Sequence, residues 1–164
     1  MQTLQNLSAE LRAEVLQLRD YVRMTYPPAG LSLGVTSKLA QLPPETVSTV
    51  VTLFGMASVL TDPRQNGNPI VFANDEFCAL TGYPREEIIG RNCKFLRGPS
   101  TDIKTTALIH EAILCRKPIV VDIRNHRKDG SGFWNRLTIA PVYDTAGEIM
   151  YFFSNQFDVT IEYT

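Results

Sequence analysis

Hydrophobic positions divide the chain into two parts with different periods. Leu4, Leu7, Leu11, Val15, Leu18 and Val22 recur at intervals of three and four, with Glu10, Arg12, Glu14, Arg19 and Arg23 on other faces. The spacing predicts an amphipathic helix, which Pro27-Pro28 ends because proline brings no amide to the helical ladder. Residues 29–43 read as a linker with Gly30, Gly34 and Pro43. Pro44-Glu45 opens a second helix, whose apolar positions are Val47, Val50, Val51 and Phe54. From residue 57 the pattern changes to short apolar runs between turn residues. Strands are predicted over 57–61 and 70–73, separated by a loop containing Gly67. Asn74 caps a short helix through Leu80, and 84–89 form a helical turn stopped by Gly90. Ser100 or Thr101 caps a longer helix that runs to Arg116 and ends before Pro118. Three long strands follow, over 119–127, 132–142 and 149–159, joined by the turns Lys128-Asp129-Gly130 and Asp144-Thr145-Ala146-Gly147. Two strands, a helical middle and three strands make an antiparallel α+β domain behind an N-terminal helical extension.

Alternation within the strands places polar groups on apolar faces. Val121, Ile123 and Asn125 share one face of their strand, and Phe133, Asn135, Leu137 and Ile139 share one face of the next. A buried amide without partners costs about 1–3 kcal/mol, so each amide needs one. The two amides bond to each other or to backbone, or they face a polar ligand; the residues alone leave both open. On the last strand Gln156 shares a face with Phe152 and Met150. The opposite face carries Tyr151, Phe153, Phe157 and Val159, with Trp134 and Ala140 outward on the neighbouring strand. That face is too apolar for open water and calls for a cover, for which the N-terminal helix of this chain or of a partner is the candidate.

The chain has 164 residues, 44% of them hydrophobic, with a formal net charge of -1. The balance favours neither nucleic acid nor an anionic membrane as partner. No apolar run is long enough to span a bilayer, and no signal-peptide pattern opens the sequence. Cys78, Cys93 and Cys115 are odd in number, widely spaced and form no CxxC pair. They argue against a zinc site or a disulfide framework and suit a reducing cytoplasm.

One stretch carries candidate chemistry: Gly90-Arg91-Asn92-Cys93-Lys94-Phe95-Leu96-Arg97-Gly98. Arg91, Lys94 and Arg97 set three cations at roughly helical spacing, which suits an anionic group. A partly exposed thiol among cations is a reactive one, whereas a buried thiol is structural; the residues alone allow either. The stretch, continued by Pro99 and Thr101-Asp102, closely resembles the signature of the light-oxygen-voltage (LOV) domains, flavin-binding blue-light receptors of the PAS superfamily. The family pattern reads Gly-Arg-Asn-Cys-Arg-Phe-Leu-Gln-Gly, so this chain departs from it at Lys94 and Arg97. The resemblance runs through the later, larger part of the chain, and nothing similar covers the N-terminal part. It implies a PAS/LOV fold, a five-stranded antiparallel sheet with helices on one face that closes around a ligand. The expected division is 1–53 as the extension, 54–160 as the flavin-binding domain and 161–164 as a tail.

The same resemblance implies roles. Cys93 forms a reversible bond with flavin carbon C4a after illumination, and Gln156 switches its hydrogen bond at N5. Asn125, Asn135 and Gln156 meet the pyrimidine edge, Asn68 and Asn92 bond ribityl or ring oxygens, and Thr61 faces the ring region. Val59, Leu96, Ile109, Ile113, Ile123, Leu137, Ile139 and Phe152 form the apolar walls. At the phosphate end Lys94 and His110 stand where relatives often carry arginines, and Arg97 compensates. FMN is the expected cofactor, with riboflavin or FAD as competitors, and no metal is expected. The implied function is a blue-light switch and not an enzyme, assembled as a homodimer through the N-terminal helix and the outer sheet face. No output motif is visible, so the chain is read as a short receptor or as the input piece of a longer sensor such as a histidine kinase. Two other readings stand beside these: a PAS module serving another ligand or a protein contact, and a flavin redox sensor or flavoenzyme in which Cys93 is incidental. Cys78 and Cys115 are expected to pack helices, His126 to be a surface strand residue, and Asp129 and Asp144 to serve turns.

Overall fold

A computed structural model describes residues 55–164 and, before them, Ser8, Ala9, Arg12, Ala13, Leu16, Gln17, Ser48, Val51 and Thr52. Apart from those positions, the N-terminal helix, the linker and the second helix expected from the sequence lie outside the described residues.

The alternating runs pair into one antiparallel sheet of order β2-β1-β5-β4-β3. Its strands are β1 (Ala57–Thr61), β2 (Ile70–Ala73), β3 (Ile119–His126), β4 (Gly132–Tyr143) and β5 (Ile149–Asp158). Between β2 and β3 run α1 (Asp75–Thr81), α2 (Arg85–Ile88), a 3-10 turn at Cys93–Leu96 and α3 (Ile103–Leu114). The strand that ends the sheet in sequence is central in space. β5 lies between β1 and β4, and Gln156 pairs with Ala57 on one side and Leu137 on the other.

Local chemistry sets the element ends. Asn74 caps α1 as expected, accepting from Phe77 N at 3.0 Å and from Ser58 N at 2.9 Å, which ties the helix to β1. Gly82 closes α1 in the left-handed region at φ 74°, where a side chain is disfavoured. The start of α3 differs from expectation. Asp102, not Ser100 or Thr101, is the cap and accepts from Thr105 N at 2.7 Å. A carboxylate suits the positive end of a helix better than a hydroxyl. Thr101 instead donates to Arg124 O at 2.6 Å, and Ser100 meets His126 Nε2 at 3.0 Å. His126 is therefore half-buried rather than a plain surface residue, and a Cβ at Gly98 would overlap its ring. Cys115, at the C-terminal cap of α3, is exposed and does not pack the helix as expected, whereas Cys78 is half-buried against the core. Asp129 and Asp144 serve their turns, accepting from Ser131 N and from Ala146 N and Glu148 N, each at 2.9 Å.

The helices pack on one face of the sheet. Ala57, Val59, Ile70, Ala73, Phe77, Ile88 and Leu96 form one buried apolar cluster, and Ile109, Ile123, Ile139, Ile149 and Phe152 form a second. Ile149 takes the inward place expected of Met150, because the register shifts between Val142 and Tyr143 and the extra residue reverses the alternation. On the opposite face Leu60, Ala140, Val142 and Phe153 are buried as well. One covering element there was not foreseen. A 3-10 turn at Thr160–Tyr163 stacks Tyr163 on Trp134 with ring centroids 4.2 Å apart. The Tyr163 hydroxyl donates to Asp122 at 2.7 Å, and Arg136 bridges Asp122 at 2.7 Å and Glu162 at 2.8 Å.

Candidate functional site

The two apolar clusters leave a cavity of about 760 Å³ between the sheet, α3 and the Cys93 turn. Leu96, Ile109, Ile113, Ile123, Leu137, Ile139 and Phe152 form its apolar walls, with Thr61 at the end of β1. Val59 does not reach it; its side chain is fully buried in the first cluster. The other residues expected at the site all line this space: Asn68, Asn92, Cys93, Lys94, Arg97, His110, Asn125, Asn135 and Gln156. Sequence reasoning missed the β1–β2 loop from Pro63 to Gly67, Leu114 and Ser154. Ser154 was recoverable, since it lies two residues from Gln156 on the same strand face.

Asn92 holds the cysteine turn in place. Its side-chain oxygen accepts from Lys94 N at 3.0 Å, and its Nδ2 donates to Gly67 O at 2.6 Å. One amide thus caps the turn and ties it to the β1–β2 loop. Cys93 lines the cavity and is half-buried. Burial dominates its ionisation and pushes the thiol up to about 12, against weaker lowering by its own backbone amide and by the Arg97 charge. The cations of the motif do not make it a thiolate. Arg91 is turned away from the cavity altogether, with its guanidinium 4.2 Å from the centre of the Phe95 ring and 5.6 Å from that of Tyr83. The three-cation anion site suggested by the sequence is therefore a two-residue one, Lys94 and Arg97.

The buried amides give both halves of the alternative left open above. Asn135 Nδ2 donates to Asn125 Oδ1 at 2.9 Å, and Asn125 Nδ2 reaches Leu96 O at 3.3 Å. The pair satisfies itself in part, yet Asn135 Oδ1 remains buried and unpartnered. Gln156 donates to Ser154 Oγ at 2.9 Å, which leaves its Oε1 unpartnered, and Asn68 Oδ1 is a third such oxygen. Three orphaned acceptors at roughly 1–3 kcal/mol each are a substantial cost for an apolar cavity to carry alone. A ligand with N–H or O–H groups along one edge relieves it.

The cavity mouth is cationic. Arg64 lines it but is held by Asp62 in a two-bonded pair, Nε at 2.8 Å and Nη2 at 2.9 Å. Hydrogen bonds from Arg64, helped by Gln65, draw the Asp62 carboxyl down to about 2. His110 sits there on the exposed side of α3. The residues present fit a flavin: apolar walls for a fused ring, amide oxygens for a polar ring edge, and cations for a terminal anion. Among the described residues no group of three His, Cys, Asp or Glu is placed to hold a metal, and no helix is long and apolar enough to cross a membrane.

Comparison with known proteins agrees with this geometry. The PAS domain family matches residues 56–160. The blue-light-activated histidine kinase of Brucella anthropi is 49% identical over 112 residues, which is 68% of this chain and 23% of that protein. The protein of the same description from Brucella ovis is 49% identical over 107 residues, 65% of this chain and 22% of its own length. The chain thus spans less than a quarter of these curated relatives. Among solved structures, the light-state Aureochrome1 LOV domain superposes with a TM-score of 0.64 at 39% identity, covering 66% of this chain and 84% of that one. The LOV domain of the Erythrobacter litoralis blue-light activated histidine kinase gives 0.62 at 34% identity, covering 64% and 96%. With the sheet order, the cysteine turn and the amide-edged cavity already in view, these matches make the chain a member of the PAS domain family and, within it, a LOV domain.

Proposed function

We propose that this LOV domain is a blue-light receptor that holds a flavin, in the form of FMN, and signals through a reversible bond between that flavin and Cys93. The observation that carries the reading is the convergence of three unpartnered amide oxygens and one protonated thiol on a single cavity. A bound flavin would supply the absorption of blue light and an excited ring open to attack by a thiol. Cys93 keeps its proton near neutral pH because of burial, so beside a bound flavin it would offer both a nucleophilic sulfur and a proton to the ring. The sulfur would stay bonded to its own Cβ throughout, and on thermal reversal Cys93 would recover only its proton. The balance closes without an oxidant, reductant or consumed substrate, which is why we read the domain as a switch and not as a catalyst.

Gln156 carries the change outward in this reading. Its amide has a donor and an acceptor, and the acceptor is free. Rotating the amide lets it meet N5 both as an acceptor and as a donor. The rotation disturbs β5, the strand shared by β1 and β4, and so reaches the outer sheet face. We place the output there, as a rearranged homodimer that uses this face and the N-terminal helix.

A second reading is favoured by a specific finding. The matched relatives are histidine kinases several times longer than the matched region, so the same domain serves equally as the input module of a longer kinase. An absorption spectrum before and after blue illumination tests the photochemistry; a yellow protein whose spectrum does not bleach and recover defeats it. Size-exclusion chromatography in dark and light tests the dimer, and a monomer under both conditions removes it.

A further inference from the structure

We infer that Ser154 is a positioning residue: its hydroxyl holds the Gln156 amide with Oε1 toward the cavity, the orientation that accepts from a ring N–H, and so lengthens the life of the illuminated form. The inference rests on the flavin reading above and deepens it, from the residue that switches to the residue that biases the switch.

The strand brings the two side chains together. Ser154 and Gln156 lie two positions apart on β5 and share a face. They are 5% and 4% exposed, and both line the cavity. Gln156 Nε2 donates to Ser154 Oγ at 2.9 Å, and Oε1 is left without a partner. In register beside Ser154 stand Val59 on β1 and Ile139 on β4, two hydrocarbon side chains that cannot take over the bond.

The other cavity amides are fixed in a way that Gln156 is not. Asn92 accepts from the backbone N–H of Lys94 and donates to the backbone carbonyl of Gly67. A peptide group cannot exchange those roles, so turning the Asn92 amide over would break both bonds. Asn135 donates to Asn125 Oδ1, and Asn125 Nδ2 donates to the Leu96 carbonyl, so their polarity is also set by backbone. The partner of Gln156 is a hydroxyl, which both donates and accepts. Ser154 accepts from Nε2 in the orientation seen here, and its own proton has no acceptor among the described residues. Rotation about its Cβ–Oγ bond lets it donate to Oε1 when the amide turns over. Ser154 therefore gives the amide a resting preference without locking it. A ring that offers an N–H satisfies Oε1 and keeps the Ser154 bond as it stands. A ring that offers only a lone pair draws the amide out of the orientation the protein holds by itself. The preference favours the first condition, which is that of the illuminated form in the reading above.

The test reads Gln156 twice. In the flavin-free full chain, nuclear magnetic resonance follows exchange of the Gln156 side-chain amide protons with water. Their signals are assigned by their loss in Gln156→Leu, and the backbone signals of β5 certify that each variant is folded. In the flavin-loaded chain, recovery of absorbance in the dark is timed after a blue pulse. Ser154→Ala should speed the amide exchange and shorten the recovery, each by about threefold or more, the scale on which hydrogen-bonded neighbours couple. Ser154→Thr keeps the hydroxyl on a strand-compatible side chain and should stay within about twofold of the parent in both. In a Gln156→Leu background, Ser154→Ala should change the recovery by less than about twofold, because no amide is left to position. Recovery that is unchanged or slower in Ser154→Ala, the same acceleration with Gln156 replaced, or Ser154→Thr as fast as Ser154→Ala would each overturn the inference. The receptor reading fails separately: an unaltered protein that does not bleach defeats it, while the exchange measurement still decides the Ser154 bond, and equal exchange in parent and Ser154→Ala refutes that bond.

Discussion

Asn135 gives its Nδ2 to Asn125 Oδ1 across β3 and β4 at 2.9 Å, and that single bond fixes which amide oxygen is left facing the cavity. The two residues are two positions out of direct register, since Asn125 pairs with Phe133 and Asn135 with Ile123, so the bond runs diagonally across the sheet. The consequence is an edge made of one satisfied and one unsatisfied amide, continued on β5 by Gln156.

The first prediction concerns that edge. Asn135→Leu removes the orphaned oxygen but also takes the donor from Asn125 Oδ1, exchanging one unpaired acceptor for another. The flavin-free protein should therefore melt within a few degrees of the parent. The rise in melting temperature produced by added flavin should shrink, because the lost contact is with the ligand. Thermal melts with and without flavin check this; an undiminished ligand-induced rise would take Asn135 out of the binding edge.

A second prediction follows from the burial of the thiol. Cys93 is protonated from about pH 6 to about 9, so the yield of bleaching should be flat across that range instead of following a thiolate titration. Stability behaves differently. The folded value lies above the ordinary 9.0, so between 9.0 and about 12 the unfolded chain releases this proton and the folded one keeps it. Stability from this group then falls as pH rises through that window. Urea unfolding at pH 7 and pH 10 should show a larger loss for the parent than for Cys93→Ala, a variant that should keep its flavin and lose the bleaching.

Gln156 is predicted to separate chemistry from signal. Gln156→Leu keeps the apolar wall and removes the rotating amide, so bleaching should persist while the light-dependent change in the sheet is blunted. Amide hydrogen exchange of β5 and its neighbours, compared in dark and light, reads the difference. The same light response in the variant as in the parent would exclude this residue from the route.

The fourth prediction is structural. Arg136 bridges Asp122 and Glu162 and is itself mostly shielded from solvent. Arg136→Ala leaves the Asp122 carboxylate with only the Tyr163 hydroxyl and removes the Glu162 tie between the C-terminal turn and β4, while the Trp134 contacts with Thr160 and Tyr163 stay. The expected cost is about 1–3 kcal/mol by chemical denaturation, most of it from the stranded carboxylate. Tyr163→Phe, which keeps the stack on Trp134 and loses one hydrogen bond, should cost no more than about 1.5 kcal/mol.

Much of this fold is written in local periodicity. A strand needs only alternation and a helix only its cap and its 3.6-residue stripe, so the order of β1 to β5, the Asn74 cap and the inward placement of Asn125, Asn135 and Gln156 are legible without a structure. The cysteine turn is legible because a run of unusual residues in fixed order marks it. Where periodicity misleads, a local irregularity is responsible: the bulge opposite Tyr143 turns Ile149 inward in place of Met150. Asp102 displaces Ser100 and Thr101 as a cap because those hydroxyls are drawn to β3, a competition between segments far apart in the chain.

Periodicity alone determined which residues share a face, and the resemblance to LOV domains implied that a thiol, several amides and several cations belong to the same region. The tertiary structure decided which of them meet. Arg91 leaves the anion site because Phe95 and Tyr83 offer it a ring face, Val59 falls in a sealed cluster instead of the cavity wall, and the thiol is held protonated by burial that no neighbouring residue name reveals. The physical reason is range: periodicity specifies direction within one element. Desolvation, ion pairing and unpaired oxygens depend on what other elements bring within a few ångströms, and here those partners come from residues 25 to 41 positions away, as with Asn92 and Gly67, Asn125 and Leu96, and Tyr163 and Asp122.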